Sequence, residues 1–436
     1  MLEILQLHLD KNLPFLKGKK LLIAISGGVD SVVLTQLFHS LNYTISLAHC
    51  NFNLRDLESN KDEKFVKNLG KQLNRETFTI SFNTNKYASL NKTSTQIAAR
   101  ELRYNWFQKL AEENKFDYIL TAHHVDDNLE TFLINLSRGS GLEGFTGIPA
   151  INKNIIRPLL IFSREEIEKY ASTHKIEWRE DLSNASSKYI RNKIRHQIIP
   201  VLKELNPSLL DTFQKTTNNL KGSQQIINSA IEQVKEKILV SNNEILKFDI
   251  SEIKKLPNTK AYLFEILKPY SFTEWNDIDH LLTAQSGKQV FSKTHRLLKD
   301  RDFLFLSEKT SIKTASEYFI EKNTTQITEP ISLSFEIGEK SKLSKENSIS
   351  IDLETITFPL TLRKWKHGDF FYPKGMTGKK KISKFFKDEK LSLLEKENSW
   401  LLCSRNQIVW VVGKRADHRF LGTKKTTNQL TIKLNK

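Results

Sequence analysis

Along the first half of the chain, short apolar runs alternate with segments whose apolar residues recur at helical spacing. Residues 21–25 form a continuous apolar run; Gly27-Gly28 follow, then Val32-Val33-Leu34 and Leu37-Phe38. That order predicts a buried strand, a tight turn and a helix over 29–39. The alternation continues with strands over 44–49, 76–82 and 116–121 and helices over 60–73 and 95–114. Two further helices are predicted over 163–175 and 188–205, the second kinked at Pro200, before Asn206-Pro207 closes the unit. Such alternation specifies a parallel, doubly wound α/β sheet. Ligands of such sheets lie beyond the carboxyl ends of the strands, where Ser26, His49 and His123 fall.

The second half reads differently. Residues 208–239 are polar and amphipathic, a helical connector, and about 225–320 mixes helix-like segments with strand-like ones at Gln289–Phe291 and 303–306. Residues 330–352 have no clear period, and short strands dominate from Ile351 onward, over 357–363, 399–403, 407–412 and 429–433. The expected architecture is an α/β domain over 1–207, a mainly helical, mixed middle domain over 208–330 and a small β-rich domain over 331–436. No internal repeat is evident.

Charge adds a partner. The 436 residues carry 67 Lys and Arg against 50 Asp and Glu, a formal net charge of +17. A protein this basic is expected to meet a polyanion, nucleic acid first. Only two cysteines occur, Cys50 and Cys403, which argues against a disulfide framework or a Cys-rich metal site and fits a reducing interior. The N-terminal residues carry acids and alternate too often for a signal peptide. No run approaches the roughly 18 apolar residues a membrane helix needs. A cytoplasmic protein without a membrane partner is expected.

The turn after the first strand, Ser26-Gly27-Gly28-Val29-Asp30-Ser31, carries the strongest chemical signal. Adjacent glycines let the backbone approach a ligand, and the following helix aims free N–H groups at it. The combination suits phosphate. No Lys-Ser/Thr pair follows, so it is not a Walker A loop; it resembles the pyrophosphate-binding loop (PP-loop) of enzymes that cleave ATP between its α and β phosphates.

Downstream, Thr121-Ala122-His123-His124-Val125-Asp126-Asp127-Asn128-Leu129-Glu130-Thr131 puts two histidines and three acids at a strand end and a helix start. Asp127 and Glu130, three apart, project from one side of the first turn. They can hold a metal, bind an amine, or simply complement the helix dipole. Gly139-Ser140-Gly141-Leu142-Glu143-Gly144 has the letters of a dinucleotide fingerprint but follows a helix, so a flexible loop closing over the site is expected instead. Arg100 and Arg103, and Arg191 and Arg195, are pairs at helical spacing suited to phosphate or carboxylate. Trp178-Arg179-Glu180-Asp181, with Ser183-Asn184, is expected to turn into the helix carrying the second pair. Lysines beside Phe385 and Phe386 suggest phosphate neutralisation and base stacking.

Together with His49-Cys50-Asn51-Phe52-Asn53-Leu54-Arg55, Arg157-Pro158-Leu159-Leu160, Tyr189-Ile190-Arg191-Asn192-Lys193-Ile194-Arg195, Arg363-Lys364-Trp365-Lys366-His367-Gly368-Asp369, the 378–385 stretch and Gly413-Lys414-Arg415, these motifs resemble the tRNA(Ile)-lysidine synthase family over nearly the whole chain. Family members often carry Gln where this chain has Asn128. The resemblance implies a cytoplasmic ligase that uses ATP and Mg²⁺. It would adenylate C2 of the wobble cytidine in an isoleucine tRNA with a CAU anticodon, releasing pyrophosphate. Attack by the amine of free L-lysine would then expel AMP and give lysidine, which pairs with A. The tRNA's identity would change from methionine to isoleucine. By the same resemblance, Ser26, Gly27, Gly28, Val29, Asp30 and Ser31 hold the phosphates, and Asp30 helps place Mg²⁺. Asp127 and Glu130 bind the lysine ammonium or the metal, Arg103 and Arg195 meet phosphate or carboxylate, and His123 contacts the reacting centre or a phosphate. A homodimer is also among the expectations. Competing readings are tRNA thiolation, which the lack of paired cysteines disfavours, a small-molecule synthetase, which the basic C-terminal region disfavours, and a non-catalytic RNA-binding scaffold.

Overall fold

The N-terminal sheet forms where the apolar runs predict it. In the computed structural model the elements run α1 (Leu2–Asn12), β1 (Lys20–Ala24), α2 (Val29–Ser40), β2 (Thr44–Asn51), α3 (Asp56–Gln72), β3 (Thr77–Ser81), α4 (Thr84–Asn91), α5 (Thr95–Glu113), β4 (Tyr118–Leu120), α6 (Val125–Arg138), α7 (Leu142–Phe145), β5 (Ile151–Asn152), β6 (Ile155–Ile156) and α8 (Arg164–Thr173). Residues 1–54, 56–180, 190–242, 245–309, 317–338, 347–376, 378–423 and 426–435 are described. Arg55, Asp181, Ser183, Asn184 and Tyr189, all singled out above, lie outside them.

The sheet order is β3-β2-β1-β4-β6-β5, parallel except for the terminal β5. The chain order reverses between β1 and β4, and that crevice is where such sheets take ligands. Leu21 and Ile23 on β1 are fully buried and pack with Val32, Val33 and Leu37 of α2. On the sheet's other face Leu22 joins Phe107, Leu110 and Phe116. Covering both faces is what a parallel sheet requires.

The helix predicted over 188–205 is interrupted. After Ile190–Lys193 comes a π-helical turn, Ile194–Ile198, in which Ile199 N–H bonds the Ile194 carbonyl; an α-helical stretch, Ile199–Leu205, follows. Pro200 has no N–H, so the ladder cannot continue in α register across it. The long connector is a helix over Leu209–Ile238.

The chain divides into two units, Met1–Ser229 and Ala230–Lys436. The second contains an antiparallel five-stranded sheet spanning Leu239–Asn242 to Phe303–Glu308 and, towards the C-terminus, antiparallel sheets of five, four and two strands. Strands Leu333–Gly338 and Ser348–Asp352 lie in the stretch that lacked a period. The expectation that Phe385 and Phe386 offer stacking surfaces is corrected: both are core, packed with Phe371 and Trp365. The exposed ring nearby is Phe370, with Lys379 Nζ 5.2 Å above it. Among the described residues no helix is long and apolar enough to cross a membrane.

Candidate active site

The loop after β1 is closed by its own side chains. Ser31 Oγ accepts from Ser26 N–H at 3.1 Å and donates to the Gly28 carbonyl at 2.9 Å. Ser26 Oγ accepts from Gly28 N–H at 3.3 Å. Gly27 takes φ +96°, a region that disfavours side-chain-bearing residues, and Gly28 caps α2. Its outer side is braced from a distance: Arg179 N–H donates to the Gly27 carbonyl at 3.0 Å, while the Arg179 guanidinium pairs with Asp62 and Glu58 of α3 at 2.5 and 2.6 Å.

Across the crevice, α6 begins with a charged knot. Val125 N–H bonds the Phe162 carbonyl, and His124 N–H donates to Asp127, which fixes the helix start. The His124 ring lies between acids, with Nε2 3.4 Å from Asp127 and 3.8 Å from Asp30, and Nδ1 3.6 Å from Asp126. Burial opposes a charge on His124, but the surrounding carboxylates of Asp126, Asp127 and Asp30 outweigh it and raise its pKa. Burial likewise opposes charge on Asp126 and Asp127, and the neighbouring His124 outweighs it, holding both below the ordinary range. Asp30 goes the other way: burial prevails over His124 and Arg164 and raises its pKa.

Glu130 is 0% exposed and receives two arginines, Arg195 Nε at 2.5 Å and Arg191 Nε at 3.0 Å. Burial still raises its pKa against Arg195's pull. Arg195 also reaches within 3.5 Å of Asp127. It sits in the π-helical turn, where the altered register re-aims a side chain.

Asp30, Asp127, Glu130 and Arg195 thus converge, with the Ser26–Ser31 loop supplying Asp30. His123 stands apart from the ion pairs: its Nδ1 is 3.0 Å from Thr121 Oγ1, and burial, with Arg157, Arg191 and Arg100 adding to it, outweighs Asp127 and lowers its pKa to about 4. It is therefore neutral near pH 7. Arg103 is not drawn into the cluster; its guanidinium lies over the Phe52 ring, 5.2 Å from the centroid. The glycine-rich stretch is a helix stop and not an open loop. Gly139 ends α6 in the left-handed region, α7 follows, and Asn135 donates to the Gly144 carbonyl at 2.8 Å.

The chain is similar to known proteins over nearly its whole length. A family model described as a PP-loop domain matches residues 1–202, one described as a TilS substrate binding domain matches 241–309, and one described as a TilS substrate C-terminal domain matches 360–432. A protein of Parabacteroides distasonis named tRNA(Ile)-lysidine synthase is 39% identical over 440 residues, 99% of each chain. Proteins of the same name from Bacteroides thetaiotaomicron and Porphyromonas gingivalis are 38% and 37% identical, over 95% of each chain for the first and 93% of this chain and 92% of the other for the second. The chain belongs to the tRNA(Ile)-lysidine synthase family. ATP use comes with its PP-loop domain.

Several residues that frame the site in this tRNA(Ile)-lysidine synthase relative escaped the motif reading. Arg164 Nη1 donates to Asp30 at 2.5 Å while its backbone N–H donates to Asp126 at 2.8 Å, so one residue ties the phosphate loop to α6. Lys203 reaches Asp126 at 3.3 Å. The only hint in sequence was Ser163 before the acidic first turn of α8, a capping signature that places Arg164 at a helix start. Asn128, the position that departs from the family pattern, accepts from Ile148 N–H at 2.6 Å, and Gly147 leaves room for its amide. Cys50 and Cys403 lie in separate units, and burial pushes the two thiols up to about 12 and about 11. Neither suits a thiolate mechanism.

Proposed function

We propose that the protein ligates L-lysine to C2 of the wobble cytidine of an isoleucine tRNA with a CAU anticodon, consuming ATP and releasing AMP and pyrophosphate. The observation that carries the reading is the convergence of the phosphate loop with the α6 acids and Arg195 at the switch point of the sheet, in a chain of this family.

The chemistry needs an activated oxygen and then a nucleophile. In the first step the cytidine C2 oxygen attacks the α-phosphorus of ATP and pyrophosphate leaves; in the second the lysine amine attacks C2 and AMP leaves. Neither step requires a covalent enzyme intermediate, so catalysis rests on positioning and charge stabilisation. The backbone and hydroxyls of Ser26-Gly27-Gly28-Val29-Asp30-Ser31 are proposed to hold the departing pyrophosphate. Arg195, anchored on Glu130, would face negative charge developing on phosphate. Asp127, held below the ordinary carboxyl range, would receive the lysine ammonium, and neutral His123 would hydrogen-bond at the reacting centre. Arg103, over Phe52, would meet phosphate charge from the rim.

Mg²⁺ fits one feature of the site. Asp30 Oδ1 is buried and has no hydrogen-bond partner. Mg²⁺ is commonly held by one or two carboxylates together with substrate phosphates, which suits a carboxylate oxygen that makes no hydrogen bond and has the His124 ring near it, at 3.8 Å. When bound, the ion would neutralise charge on the pyrophosphate. The division of labour follows the domains: 1–207 for catalysis, with 208–330 and 331–436 gripping the tRNA in the basic second half.

The test is incorporation of labelled lysine into a tRNA transcript with a CAU anticodon, with ATP and Mg²⁺. The expected result is stoichiometric labelling, with a methionine tRNA transcript of the same anticodon a poor substrate. ATP-dependent tRNA binding without labelling would sink the ligase reading in favour of a scaffold.

A further inference from the structure

Arg157 opens the Arg157-Pro158-Leu159-Leu160 motif. Arg157 follows β6 directly, and β6 pairs with β4 so that Leu120 lies beside Ile156 and Thr121 N–H bonds the Ile156 carbonyl at 3.0 Å. Arg157 therefore stands at the carboxyl edge of the sheet next to the Thr121-Ala122-His123 segment. It is 5% exposed. Its Nη1 donates to the Pro149 carbonyl at 2.6 Å, its Nε is buried with no partner, and no carboxylate among the described residues pairs with it. Nη2 is the open edge of the fork.

A buried guanidinium without a counter-charge is costly, and protein interiors normally supply a carboxylate. Elsewhere in this site the rule is kept: Arg164 has Asp30 and Glu168, Arg179 has Asp62 and Glu58, and Arg191 and Arg195 share Glu130. Arg157 breaks it, and it does so on the β4–β6 side of the crevice, away from the loop proposed to hold pyrophosphate. The missing counter-ion is best supplied by a ligand.

We propose that Arg157 receives the carboxylate of the lysine substrate, so that the amino-acid head group spans Arg157, just after β6, and Asp127 on α6. This rests on the ligase reading above. An amino-acid head group is a zwitterion, and a site that selects it needs an unpaired cation and a carboxylate flanking one cavity. Both groups act on the His123 ring: Asp127 favours its charged form, and Arg157 with Arg191 and Arg100 opposes it. The Nη2 edge offers the planar donor geometry that carboxylates accept. The consequence is specificity for a free amino acid over a plain diamine.

The experiment compares lysine with lysinamide and 1,5-diaminopentane, which keep the amine chain but lack the carboxylate, as acceptors of the adenylated tRNA. With wild-type protein both analogues should be used at least about tenfold less efficiently than lysine, the scale of one charge-assisted contact. Arg157→Met should raise KM for lysine by a similar factor, leave use of the diamine where it was, and so erase the discrimination; Arg157→Lys should restore part of it. KM for ATP and for tRNA should not follow. Wild-type protein that uses lysinamide as well as lysine overturns the proposal without any variant. A shift in KM for ATP or tRNA in place of lysine would assign Arg157 to a phosphate, and equal losses for lysine and diamine would make it structural; either also overturns it. If wild-type protein incorporates no lysine at all, the ligase reading fails instead, on a different readout.

Discussion

The two halves of the catalytic crevice are built on different principles. The phosphate loop is local: every bond that shapes it internally joins residues no more than five apart, and its special conformation sits on Gly27. The α6 side is assembled across the sequence. Arg195 meets Glu130 over 65 positions, and Lys203 meets Asp126 over 77. A local loop resists the loss of any one side chain because its backbone remains. An ion-pair knot depends on each partner, because removing one leaves a charge in a place that water does not reach.

The largest effect should therefore come from stranding Glu130. Replacing both Arg191 and Arg195 by Met leaves a carboxylate that is 0% exposed without a cation, at a cost of about 3–5 kcal/mol. Glu130→Gln should cost distinctly less, because Arg191 and Arg195, with side chains 43% and 33% exposed, can turn to solvent. Urea unfolding of the three proteins measures both. Equal losses would mean that the knot is not held by charge and would break the contrast with the loop.

The contrast also explains what could be read from sequence. The strand, the Gly-Gly turn and the helix lie within twenty residues, so periodicity and turn chemistry reveal them, and the observed β1 and α2 fall within one or two residues of the expected spans. Asp127, Glu130 and Arg195 were singled out by residue type and spacing. Their pairing was not, because nothing in a sequence states which arginine reaches which acid. The Ser163 cap places Arg164 at a helix start, and Trp178-Arg179-Glu180 is expected to turn, but nothing local separates either arginine from a surface one. Phe385 and Phe386 misled because an aromatic beside lysines reads alike whether it is a platform or core; here both rings face the core of the C-terminal sheets. The π-helical turn was legible only as a disturbance at Pro200.

On the loop side, Gly27→Ala tests conformation alone. An added Cβ would lie 3.6 Å from Phe65 and 3.8 Å from Val66, ordinary contact distances, so sterics do not forbid it. The φ of +96° does, at about 1–2 kcal/mol for an L-residue. The expected outcome is about a tenfold rise in KM for ATP with KM for lysine nearly unchanged. A parallel rise in both would show that the two sides of the crevice are coupled through the loop.

A smaller effect should appear as a pH dependence of stability on the α6 side. The folded pKa of His124 is raised, so its contribution is present below about pH 6.5 and is lost as pH climbs through the folded value. The folded pKa of Asp126 is depressed, so its contribution is present above about pH 4 and is lost as pH falls through its folded value. Together they are strongest between those limits. His124→Gln should therefore lose most stability relative to wild type near pH 5–6, and the gap should close as pH rises through the folded pKa of His124. A gap independent of pH would mean that His124 is held neutral.

The mildest substitution returns to the loop. Ser31 Oγ is the one side-chain atom that both accepts from Ser26 N–H and donates to the Gly28 carbonyl. Ser31→Ala removes both bonds and the 3.1 Å hydrogen bond with Ser26 Oγ, yet Gly28 O still accepts from Val32 N–H at 3.1 Å and the exposed Ser26 hydroxyl can turn to water, so only the Ser26 N–H is stranded. One neutral hydrogen bond is worth about 1 kcal/mol, which translates into a KM for ATP raised about fivefold. Ser31→Thr keeps the hydroxyl and should recover most of that loss, provided the added methyl is accommodated beside Thr35, whose Oγ1 donates to the Ser31 carbonyl at 2.8 Å. If Ser31→Ala instead abolishes activity as completely as loss of Arg195, the hydroxyl touches phosphate directly, and the loop depends on side-chain chemistry as much as the ion-pair knot does.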